Sequence, residues 1–74
     1  MNYSNLKDTE LTYAAEVTND AIVVLTKRQM FFAVGDRMPG DAQLRVERTA
    51  FYAIAIEHLR QEFEELMQER TRRN

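Results

Sequence analysis

The stretch that most constrains this chain is Ala50-Phe51-Tyr52-Ala53-Ile54-Ala55-Ile56, set in the middle of a charged segment from about Asp41 to Arg70. Read as one helix at 100° per residue, that segment carries a wide apolar stripe of Leu44, Phe51, Tyr52, Ala55, Leu59, Phe63, Leu66 and Met67. Ala50, Ala53 and Ile54 fall outside the stripe, so the helix is apolar all round at its centre. A helix of that kind needs covering on more than one side. One intramolecular partner helix covers one side only.

The rest of the chain offers one such partner. From Glu10 to Val34, Leu11, Ala14, Val17, Thr18, Ala21, Ile22, Val24, Leu25, Phe31 and Phe32 gather on one side of a helical wheel. Thr12, Glu16, Asn19, Asp20, Thr26 and Lys27 gather on the other. Asp8 or Thr9 suits the N-cap, and Glu10 suits the positive end of the helix dipole. The β-branched and aromatic runs at 21–26 and 30–34 also fit strands. The Lys27-Arg28-Gln29 link lacks the Gly, Asn or Asp of a tight hairpin, however, and the helical separation runs through both runs unbroken.

Gly35-Asp36-Arg37-Met38-Pro39-Gly40 is the only Gly/Pro cluster. Gly35 suits a helix C-cap, Pro39 cannot continue the preceding helix, and Asp41 can cap the next. So short a connection folds two helices back antiparallel. The expected organisation is one helical-hairpin domain over 1–74: a flexible arm at 1–8, helix one at about 10–34, a loop at 35–40, helix two at about 41–70, and a frayed tail at 71–74.

A hairpin of 74 residues buries little by itself, and with no cysteine it has neither disulfide nor zinc-thiolate staples. Oligomerisation is the remaining common source of burial. The fold class expected is therefore all-α: an antiparallel two-helix hairpin that self-associates into a dimeric four-helix bundle. Its expected interface is Phe51, Tyr52, Ile54, Ala55, Ile56, Leu59 and Phe63. Centring the turn near Arg37 and Met38 makes residues whose numbers add to about 75 lie opposite. That register pairs Leu25 with Phe51, Ala21 with Ala55 and Leu11 with Leu66, and brings Thr18 near His58.

The same register sets Arg28 near Glu47 and Arg48, with both arginines projecting from apolar stripes. Buried positive charge requires anions. Glu47 or a glutamate of a second protomer supplies one answer, and stems lying on the core with heads in solvent another. A third is a fork for phosphate or carboxylate in which Arg37 joins Arg28 and Arg48.

Chemistry is otherwise sparse. His58 and Glu62 stand one turn apart, a spacing that metal ligation or proton transfer would accept, but the Glu-x-x-His arrangement of di-metal bundles is absent. Such a pair is more often a surface interaction. There is no Gly-x-Ser-x-Gly elbow, no P-loop and no dinucleotide fingerprint. No catalytic residue, metal site or cofactor is expected, and the chain reads as a non-enzyme.

Ten basic against 12 acidic residues give a net charge of −2, which disfavours a dedicated nucleic-acid binder despite the tail arginines. No apolar run approaches the ~20 residues that cross a bilayer. The N-terminus lacks the basic-then-apolar form of a signal peptide, so a cytoplasmic location is expected. Glu57, Glu62, Glu64 and Glu65 form an acidic face, either simply solvated or a dock for a basic partner. The functional expectation is a self-associating protein–protein interaction module, a regulator, adaptor or inhibitor of the size that accessory or phage genes encode. Its alternative is an oligomer that sequesters a small anion such as a nucleotide through Arg28 and Arg48.

Overall fold

The computed structural model describes residues 3–34 and 42–74. Helix α1 spans Asp8–Val34 and helix α2 spans Ala42–Arg73. They pack against each other as an antiparallel hairpin, with no strand among the described residues. The runs at 21–26 and 30–34 are helical throughout. The expectations placed on Gly35, Arg37, Pro39 and Asp41 lie outside the described residues.

Helix α1 begins two residues earlier than its apolar period requires, because the cap is Lys7 and not Asp8 or Thr9. The Lys7 carbonyl accepts the Leu11 N–H at 2.9 Å, and the Glu10 carboxylate accepts the Lys7 N–H at 2.8 Å. This is the return half of a capping box. Leu6, just before the cap, packs on the core cluster that contains Leu11, as a hydrophobic staple does. The first residues are therefore not a loose arm from Tyr3 onward. Tyr3 and Leu6 are both half-buried against the helices, and the Tyr3 carbonyl accepts the Leu6 N–H.

The far end also departs from expectation. Helix α2 runs on to Arg73, where fraying was expected from residue 71. Arg73 Nη1 donates to Asp8 at 2.9 Å, its Nη2 donates to the Tyr3 and Ser4 carbonyls, and its Nε donates to Glu69 at 3.1 Å. One guanidinium fork thus ties the last turn of α2 to the start of the chain. A planar five-donor group is suited to that task in a way a lysine is not.

The covered positions reveal the packing. On α1 they include Leu11, Ala15, Thr18, Ile22, Leu25, Gln29 and Phe32; on α2 they include Arg45, Thr49, Tyr52, Ile56, Leu59, Phe63 and Leu66. Both series step by four and three residues in alternation, the 3.5-residue period of coiled-coil packing. The Asp8–Arg73 pair sets opposed numbers adding to 81, and the Gln29–Thr49 and Phe32–Tyr52 contacts straddle that value. The register of 75 is thus displaced by about six residues, roughly 9 Å along the axis.

Two expected layers are lost with it. Phe51 points outward, so it does not meet Leu25, and Thr18 donates its hydroxyl to the Ala14 carbonyl while His58 is exposed. Leu11 and Leu66 do share the core cluster, with Ala15 between them.

The core is concentrated at one end. Leu11, Ala15 and Leu66 are buried among Tyr3, Leu6, Ala14 and Phe63, where the chain's two termini meet. Toward the loop the seam turns polar: Gln29 Nε2 donates to the Thr49 carbonyl at 3.3 Å, and Arg45 is half-buried there. The molecule is long and thin, 50 × 17 × 14 Å, with a radius of gyration of 16.0 Å. A compact chain of this length would have about 11 Å.

Candidate interaction surface

The loop-ward half of the hairpin turns its apolar side chains outward. Phe51 is 68% exposed, Val46 67%, Met30 60% and Ile54 58%. Val23, Val24, Phe31 and Leu44 are exposed as well. Large apolar residues scattered singly are ordinary on a protein surface, but here eight of them gather on half of a small hairpin. The seam there is narrow and partly polar, so the intramolecular partner helix covers only one side of each helix.

The expected interface residues divide accordingly. Phe51 and Ile54 are free for contact outside the hairpin. Ile56 is buried within it, and Phe63 packs on the terminal core. Tyr52 stacks on Phe32 with ring centroids 5.6 Å apart, and Phe32 in turn meets Phe31 edge-on at 5.5 Å. Ala55 and Leu59 are half-buried. Val24, Met30, Phe31 and Val46 are exposed surface that a 3.6-residue wheel placed elsewhere or passed over. Counting the seam at four-three spacing exposes them, because the residues left outside the two heptad series must face away from the partner helix.

The arginine layer is corrected. Arg28 and Arg48 are both exposed, and neither forms an ion pair among the described residues. Glu47 accepts instead from Gln43 Nε2 at 3.3 Å. Counted at four-three spacing, Arg28 and Arg48 stand just before the seam residues Gln29 and Thr49, on its flank, so burial does not compel them to pair. Arg37 lies outside the described residues. His58, Glu57, Glu62, Glu64 and Glu65 are all exposed, and no three metal-ligating side chains gather among the described residues.

Electrostatics sharpen at the terminal end. The Arg72 hydrogen bond, backed by Arg73, holds the Glu69 carboxyl below its ordinary value. Burial raises the Tyr3 phenol above its ordinary value, with the negative charges of Glu62 and Glu65 adding to the effect. A shallow groove between the helices is lined by Thr12, Ala15, Glu16, Asn19, Phe63, Met67 and Arg70.

No helix among the described residues is long and apolar enough to cross a membrane. No family model matches the chain, and neither a curated protein nor a solved structure is significantly similar to it. The fold and surface define a class only: an antiparallel helical hairpin with a self-packed base and an apolar, uncovered loop-ward half.

Proposed function

We propose that this chain is a non-enzymatic protein–protein interaction module that works as a homo-oligomer, regulating, adapting or inhibiting a partner protein. The observation that carries the reading is the outward-facing apolar surface of the loop-ward half, centred on Phe51. Accessible surface supports it. The chain exposes 5836 Å², about 1,100 Å² more than the ~4,700 Å² of a compact monomer of its mass. That excess exceeds the ~800 Å² that each partner contributes to a standard interface.

The dimeric four-helix bundle is the simplest assembly that covers such a surface, since two hairpins laid together bury one side of all four helices. The test is native mass spectrometry of gently purified protein, followed by affinity capture with wild-type chain and with Phe51→Ser. An oligomer, and a cellular protein retained by the wild type but lost with Phe51→Ser, is the expected result. A folded monomer at micromolar concentration that retains nothing overturns it.

A further inference from the structure

The uncovered surface has two sides, and only one carries an ordered arrangement of charge. Seven residues make nearly two helical turns, so Val17, Val24 and Phe31 form one row on α1 and Leu44, Phe51, His58 and Glu65 share a row on α2. Arg28 on α1, and Arg48 and Glu62 on α2, stand in the rows nearer the seam. In an antiparallel pair these four rows share one broad side of the hairpin. Toward the loop this side is apolar and basic: Phe31, Phe51 and Leu44 with Arg28 and Arg48. Past its midpoint the acidic pair Glu62 and Glu65 takes over. The opposite side mixes Glu16, Glu57 and Glu64 with Arg60 and shows no such segregation.

We propose that this side is covered by a second copy of the chain laid antiparallel to the first, with Val24 at the two-fold axis and Arg28 and Arg48 against Glu62 and Glu65 of the second copy. The reading rests on the self-association proposed above and adds its face and direction. The register follows from the hairpin itself. With opposed residues adding to 81, Glu62 and Glu65 lie level with positions 19 and 16 of α1, and Arg48 lies level with position 33. Reversal about Val24 carries position 28 to 20 and position 33 to 15. Both arginines thereby arrive within one residue of a glutamate. The same operation sets Phe31 over Val17 of the second copy and Phe51 over the stems of its Glu62 and Glu65.

One centre satisfies two independent charge pairs and an apolar contact together. A parallel dimer on the same side would mass four arginines at one end and four glutamates at the other, and like charges brought together across an interface are costly. A tip-to-tip antiparallel dimer centred near Phe31 would put Arg28 against Arg48.

The chain has no cysteine, so single introduced thiols report geometry cleanly. Val24→Cys is expected to oxidise to a disulfide-linked dimer by itself. Val17→Cys and Phe31→Cys are expected to cross-link when mixed and not alone. Arg28→Glu with Arg48→Glu should weaken dimerisation by at least about tenfold in sedimentation equilibrium, with far-UV circular dichroism unchanged because both sites are exposed. Adding Glu62→Arg and Glu65→Arg to that variant should restore it. Cross-linking of Phe31→Cys to Phe51→Cys, or no rescue by the fourfold variant, overturns the antiparallel arrangement while leaving self-association standing. A wild-type chain that stays monomeric overturns both.

Discussion

Leu66→Ala and Phe51→Ala are predicted to fail in opposite ways, because the hairpin buries one residue and presents the other. Leu66 is 2% exposed, between Leu11 at 1% and Ala15 at 4%, where the helices and Leu6 close on it. Truncation of a side chain so fully buried costs about 3 kcal/mol of transfer and cavity energy. A chain of 74 residues has a total stability of about 4–11 kcal/mol, so the loss is a large fraction of it. Phe51 is 68% exposed, and truncating it removes only about 1 kcal/mol of packing within one hairpin. Covering the exposed part against another chain is worth about 3 kcal/mol per protomer at most.

Urea unfolding by circular dichroism at two protein concentrations separates the two effects. For a dimeric chain, a hundredfold dilution lowers apparent stability by about 2.7 kcal/mol of dimer, or about 1.4 kcal/mol of protomer. Leu66→Ala should shift both curves down and keep that gap. Phe51→Ala should close the gap and leave the dilute curve nearly unmoved. Equal losses from both variants at both concentrations would refute the division between a self-packed base and an outward loop-ward half.

Arg73→Ala should release the N-terminal segment without unfolding the hairpin. Faster hydrogen exchange at the Leu6 and Leu11 amides, with helical circular dichroism retained apart from the last turn, is the expected readout. Glu69 supplies an acid-side slope: its carboxyl is held below the ordinary value of 4.5, so its contribution is complete above that value and is lost as pH falls through the folded-state value. Glu69→Gln should flatten the stability profile in that acid range. Tyr3 supplies an alkaline slope of the other sign. Its phenol is raised above 10.0 in the folded chain, so the unfolded chain releases the proton first and stability falls as pH climbs past 10.0. Tyr3→Phe should remove that decline, as read by thermal melts across the alkaline range.

Helix number and type were legible because they rest on features that tertiary context seldom overrides: long apolar periodicity and a single Gly/Pro cluster. The ends were less so. The cap at Lys7 is written in two residues that reach back, Glu10 to an amide and Leu6 to Leu11, and a search for Ser, Thr, Asp or Asn passes over it. The last turn held because Arg73 finds acceptors far away in sequence, three of them on Tyr3, Ser4 and Asp8. No local rule anticipates a bond across 70 residues. The register failed for a related reason. The middle of the loop gives a sum of 75, whereas side chains set the register from the seam, where Ala15 leaves room for Leu66 and Ile22 lies level with Leu59.

That choice of period decides what kind of molecule the chain is. At 3.6 residues per turn, Arg28 and Arg48 fall on the apolar stripes and call for a glutamate, a route to solvent or an anion, while Phe51 fills the core. At 3.5, the seam takes Thr18, Gln29, Arg45 and Thr49 inside and turns Phe31, Phe51, Val24 and Val46 out. Polar residues in a seam weaken the pairing they occupy, and apolar residues outside it favour a further layer. Both effects act on the same half of the hairpin. The half held least firmly by its own partner helix is also the half with most apolar surface left uncovered. The terminal half, with Leu11, Leu66 and the Arg73 tie, is what holds the two helices in register.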